Sequence, residues 1–171
     1  MIHRHQNHLW PALAEDRLTA MLVTDGHHLP SEMIASMVRA KGVERTIVTS
    51  DVSPLAGLPD GKYTGLPHGR SAIVQGTYIR HGERDCLTGS GSLMLHCMNH
   101  VAGLGTNLCA DGPLTFQQLD AIGFINPLRA IRVDPEAFRC RHRPLLEFCS
   151  GRFSLLPGAA VTRETASRVA E

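Results

Sequence analysis

Residues 18–51 read LTAMLVTDGHHLPSEMIASMVRAKGVERTIVTSD, and this stretch decides the fold. Leu18–Thr24 is a short apolar run closed by Asp25-Gly26, a length that suits a buried strand rather than a helix. Pro30-Ser31-Glu32 opens a helix whose apolar stripe is Met33, Ile34, Met37 and Val38. Arg39 and Lys41 sit in its last turn and Gly42 ends it. Thr46–Ser50 is a second, β-branched run that ends at Asp51. A strand, a helix and a strand of these lengths predict a parallel pair with a right-handed crossover. Both strands are apolar throughout, as strands covered on both faces are. Their C-terminal ends carry Asp25-Gly26-His27-His28 and Asp51, at the edge where parallel α/β architectures place ligand chemistry.

Upstream, residues 8–17 suggest a short helix with Trp10 and Leu13 on one face and Pro11 near its start. Beyond Asp51 the texture changes: residues 52–70 hold four glycines and three prolines, with a turn cluster at 57–61. Residues 71–80 are strand-like, with Gly76 as a bulge, and a polar turn follows at 81–85. Helices are expected over 92–103 and 115–125, the second capped near Leu114-Thr115, with a further helical turn at 126–131. Residues 144–156 read as a hairpin turning at Ser150-Gly151, and the last fifteen residues as a frayed tail.

The 171 residues are enough for one domain, and an apolar content of 43% excludes a mainly disordered chain. A net charge of +1 gives no general attraction to nucleic acid or to an anionic membrane. No apolar run is long enough to span a bilayer, and Met1–His5 lacks the apolar core of a signal peptide. Cys86, Cys97, Cys109, Cys140 and Cys149 are odd in number and contain no CxxC, so they read as reduced thiols of a cytoplasmic protein.

Four ordered segments carry a family resemblance: DGHHLPSEMIASMVRAKG from Asp25, VTSDVSPLAGLPDGKY from Val48, LTGSGSLM from Leu87 and INPLRAI from Ile125. In order and spacing they resemble the C-terminal part of the N-acetylglucosamine-6-phosphate deacetylases, metal-dependent hydrolases of the amidohydrolase superfamily. The resemblance runs from residue 3 to about residue 135. It implies an α/β fold made of the last two strands of a (β/α)8 TIM-type barrel, at 18–24 and 45–50, plus strands of a small β-sandwich. Residues 1–70 would end the barrel, 71–91 supply a sandwich strand and the substrate loop, 92–135 the C-terminal barrel helices, 136–156 the sandwich hairpin and 157–171 the tail. A complete barrel of this kind needs about 250 residues. The implied chain is therefore the C-terminal piece of a larger enzyme, through an incomplete gene, a late start, or a split or decayed copy.

The resemblance assigns roles to several positions. Asp51 becomes the base that takes a proton from water and returns it to the leaving amine; the residues alone leave it equally open to closing a turn. His28 becomes the imidazole donor on the scissile carbonyl, Arg4 the grip on the sugar phosphate, and Leu87-Thr88-Gly89 the loop whose backbone holds substrate. Asp25 reads as a turn cap, His27 as packing or surface, and His96 with His100 as ordinary helix histidines rather than a metal pair. The implied cofactor is a divalent metal, zinc, with its ligands upstream of Met1. The implied partners are a small amino sugar phosphate, a second copy in the intact enzyme, and an N-terminal half, with no nucleic acid or membrane. Two other readings stay open: a non-catalytic relic or half-enzyme, and an amidohydrolase acting on another amide such as an N-acyl amino acid.

Overall fold

In the computed structural model, which describes residues 7–104, 112–142 and 145–157, the strand–helix–strand unit is present. Strand β1 (Ala20–Val23) pairs in parallel with β2 (Thr46–Thr49), in register Ala20 to Thr46 through Val23 to Thr49. Between them runs α2 (Ser31–Lys41), ended by Gly42 at φ 73. Its buried face is Ile34, Ala35, Met37, Val38 and Lys41, while Met33 is exposed. The expected cover on both strand faces holds for β2 but not for β1, where Met21 is 65% exposed. No described element packs over that side chain deeply enough to remove it from water.

The short helix α1 (Leu9–Ala14) precedes β1. Lys41, expected simply to favour the end of its own helix, reaches across to α1. Its buried Nζ donates to the carbonyls of Ala12 (3.2 Å) and Glu15 (2.7 Å), capping the C-terminal end of α1 with a positive charge.

A three-stranded antiparallel sheet follows: β3 (Gly61–Leu66), β4 (Arg70–Gln75) and β5 (Tyr78–His81). The sequence reading had no strand at β3 and one strand over 71–80. Gly76, at φ 58, lies in the turn between β4 and β5 instead of forming a bulge within one strand. Ala72, Val74 and Ile79 form this sheet's own small core.

The larger core joins Leu22, Ile34 and Val48 of the parallel unit to Val101, Leu119 and Ile122 of the later helices. These helices are α3 (Met94–Gly103), α4 (Phe116–Asp120) and α5 (Asn126–Ala130), with a π-helical stretch at Ala121–Ile125. Thr115 caps α4, within the region the sequence predicts, and does so in a reciprocal box with Gln118. Asn126, buried, donates through Nδ2 to the carbonyls of Val43 and Thr46, both at 2.8 Å, and so ties α5 to the start of β2.

Helix α6 (Pro135–Arg141) was not anticipated, and residues 136–156 are therefore not hairpin alone. The hairpin itself, β6 (Leu146–Cys149) and β7 (Arg152–Leu155), turns at Ser150-Gly151 as expected. It forms a sheet of its own and rests on α3, not on the three-stranded sheet. Asn99 of α3 holds it there by accepting from the Phe153 N–H (2.7 Å) and donating to the Phe153 carbonyl (2.9 Å). No helix among the described residues is long and apolar enough to cross a membrane.

Candidate active site at the ends of the parallel strands

The turn after β1 is organised by Asp25, whose side chain is buried. Its Oδ1 accepts from the backbone N–H of His27 (2.9 Å) and of His28 (3.0 Å), and its Oδ2 lies 2.9 Å from His28 Nδ1. Burial pushes the Asp25 carboxyl up, but the bonds from His28, Ser90 and His27 outweigh it and hold the carboxyl well below the usual carboxylate range. An ionised carboxylate can only accept, so the shared proton sits on His28 Nδ1 and Nε2 is the nitrogen left for a ligand. The His28 side chain keeps 21% of its exposure, enough for access. His27 points to the surface, with Nε2 2.9 Å from Thr77 Oγ1 and its ring edge-on to Tyr78. The cap assigned to Asp25 is thus present, and it also orients His28.

Asp51 stands two residues past β2, exposed, at φ 49. Aspartate tolerates this left-handed conformation better than most residues, and its backbone carbonyl is fixed by the Ser90 N–H at 2.8 Å. The Ser90 carbonyl in turn accepts from the Ser53 N–H at 2.7 Å. Since the Ser90 hydroxyl also bonds the Asp25 carboxylate, one buried serine connects the ends of both parallel strands. Gly89 makes this approach feasible: at φ 68, a Cβ there would sit 3.1 Å from both the Asp51 carbonyl oxygen and Ser53 Cβ.

Leu87 bridges to Arg80, and the Thr88 N–H donates to the Ile79 carbonyl at 3.0 Å. The loop therefore fastens the three-stranded sheet to the strand ends, and the Thr88 N–H already has a partner inside the protein. Arg4 lies outside the described residues. His96 is exposed on α3, whereas His100 Nε2 is buried with no hydrogen-bond partner among the described residues. Sequence reasoning passed over Ser90 and read His100 only as an ordinary helix histidine. Ser90 stood inside the quoted LTGSGSLM segment, but nothing local shows that its partners lie at residues 25, 51 and 53.

The structure thus gathers Asp25, His28, Asp51 and the 87–90 loop at one edge. An ionised carboxylate orients an imidazole at the end of β1, and a second, exposed carboxylate stands past the end of β2, groups of the kind that bind a polar group and move a proton.

No family model matches this chain. A protein of Escherichia coli (strain K12), assigned as an N-acetylgalactosamine-6-phosphate deacetylase, is 36% identical over 63 residues, which are 36% of this chain and 36% of that protein. In fold, the chain is similar to the N-acetyl-D-glucosamine-6-phosphate deacetylase of Mycobacterium smegmatis, solved in complex with N-acetyl-D-glucosamine-6-phosphate. There the TM-score is 0.60 at 18% identity, over 71% of this chain and 31% of that one. The Thermotoga maritima N-acetylglucosamine-6-phosphate deacetylase gives 0.59 at 21% identity, over 74% and 32%.

The resemblance is to the N-acetylhexosamine-6-phosphate deacetylases. It is a partial one, because the chain spans about a third of the length of the deacetylases it matches. The shared part is a mixed α/β arrangement.

Proposed function

We propose that this chain carries the substrate-facing edge of a deacetylase that removes the acetyl group from N-acetylglucosamine 6-phosphate or a related N-acyl amino sugar. In this reading β1 and β2 are the last two strands of a (β/α)8 barrel and the protein works in the cytoplasm. The observation that carries it is the convergence of three separate sequence segments on Ser90, which brings Asp25-His28 and Asp51 to one edge. The similar proteins act on amino sugar phosphates by name, and that supports the choice of substrate.

Asp51, exposed at the strand end, takes a proton from the attacking water and returns it to the departing amine. His28 binds the acetyl carbonyl through Nε2. Because Nδ1 already holds a proton for Asp25, His28 donates through Nε2 only as the imidazolium, with Asp25 as its counter-ion. Arg4 grips the phosphate in this proposal, and Leu87-Thr88-Gly89 borders the sugar.

A zinc site in a hydrolase needs about three protein ligands. Among the described residues no group of three His, Cys, Asp or Glu side chains converges in that way. The described residues do not fit the metal, so zinc in the intact enzyme is proposed to rest on other ligands. A second reading is a non-catalytic relic or a half that needs a partner chain.

The test takes purified 1–171, alone and mixed with the N-terminal portion of one of the similar deacetylases, and measures bound zinc and acetate release. Acetate from N-acetylglucosamine 6-phosphate only in the mixture, lost in Asp51→Asn, is the expected result. Equal release from an N-acyl amide without phosphate would move the substrate class. No turnover in either preparation would leave the non-catalytic reading standing.

A further inference from the structure

His100 lies under the site without belonging to any role assigned above. Its ring edge faces the turn after β1: a Cβ built on Gly26 would sit 3.1 Å from Cε1, 3.3 Å from Nδ1 and 3.9 Å from Nε2. That close approach is open only because residue 26 is glycine, at φ 82. The Nε2 atom is buried and has no partner among the described residues. A buried nitrogen without a partner lowers stability, and an apolar ring would fill the same space without that loss. Neutral, the ring can rest against the turn as an apolar side chain would. Protonated, it carries a charge and a second N–H into a buried place where the described residues offer Nε2 no acceptor.

We propose that His100 is an acid-sensitive positioning residue for His28: its neutral ring supports the Asp25–His28 turn through Gly26, and its protonation loosens that turn. The ionisable groups acting on it are His96 from its own helix, and Asp25 and His27 from the turn. Burial first, then the neighbouring His96 and His27, hold the His100 imidazole below the ordinary histidine range, against the opposing pull of Asp25. The neutral form is therefore the resting one, and acidification is the disturbance. The functional meaning rests on the reading of His28 as the carbonyl-binding imidazole. The turn geometry itself does not.

The experiment uses the 15N-labelled chain without substrate, so its outcome is independent of whether the protein is a deacetylase. Amide exchange at His27 and His28, corrected for the intrinsic rate, is compared at about pH 7.5 and about pH 5, on either side of histidine titration. The His28 tautomer is read from its ring nitrogen shifts. Exchange in the parent is expected to rise about tenfold on acidification while Val48 and Ile79 change little. His100→Phe, which keeps a ring and removes the nitrogens, should retain protection at both pH values and the Nδ1–H tautomer at about pH 7.5. His100→Ala should lose protection at either pH. Protection in the parent that is flat with pH, or an acid loss that persists in His100→Phe, overturns the proposal. If His100→Ala does not fold, Gly26→Ala crowds the same contact from the turn. It should displace the His100 and His28 ring resonances together, and movement of one without the other also overturns the proposal.

Discussion

Asp25 has the most partners of any described side chain at the site, and its effect on pH dependence has a definite sign. Its carboxyl is held below the usual range in the folded chain. The stabilisation it brings is therefore complete above the unfolded carboxylate value of about 4 and fades as pH falls through the folded value. His100 acts in the same direction at milder acidity: its folded value lies below 6.5, so stability falls once pH drops below that figure. Asp25→Asn is expected to cost about 2 kcal/mol near neutrality, from the loss of charge-assisted bonds to a buried group. Urea midpoints of parent and variant, followed downward in pH, should converge below about pH 4. A constant gap would show that the carboxylate charge is not what matters. At this scale the apolar runs that end at Asp25 and before Asp51 announced where the two strands stop, while the role of His28 came from the resemblance alone. The sequence concealed the contacts of Ser90 and His100 with the turn after β1, more than sixty positions earlier in the chain.

Among the elements, those with local signals were legible. The α2 boundaries follow from Pro30 and Gly42, the α4 start from Leu114-Thr115, and the hairpin turn from Ser150-Gly151. Helix α6 had its signal too: Asp134 caps it, accepting from the Glu136 N–H, and Pro135 is its first residue. It was overlooked because its one large apolar side chain is Phe138, which packs on Phe124. Strand β3 was hidden for another reason. Its sequence, GKYTGL, has two glycines and little burial, and it is a strand only because β4 lies beside it. The docking of the hairpin on α3 depends on Asn99, whose amide replaces a neighbouring strand for Phe153. Asn99→Ala is expected to cost about 1–3 kcal/mol by leaving the Phe153 backbone groups unmatched. Faster amide exchange confined to Arg152–Leu155 would locate the loss, whereas uniform acceleration would argue against a local anchor.

For the whole molecule the informative feature is the two-stranded parallel sheet. Parallel strands are ordinarily covered on both faces and paired on both edges, yet among the described residues β1 and β2 pair only with each other. Leu18, Met21 and Leu93 are exposed to about half or more of their surface. Such an edge and such side chains invite association. Purified 1–171 is expected to self-associate with rising concentration in sedimentation velocity, and Met21→Lys should reduce this without changing the far-ultraviolet dichroism. Association unaffected by the charge would place the sticky surface elsewhere. The sequence reading expected β1 to be buried on both faces, because an apolar strand looks the same whether or not anything covers it.

The buried ammonium that joins α2 to α1 has a practical consequence. Lys41 and Lys62 are the only lysines in the chain. Lys62 is exposed on β3, whereas Lys41 is enclosed by the carbonyls of Ala12 and Glu15. An amine-directed acylating reagent therefore marks Lys62 at once and Lys41 only when the first helix swings away. The ratio of the two modified peptides becomes an internal clock for the detachment of that helix, with one lysine timing the other in the same tube.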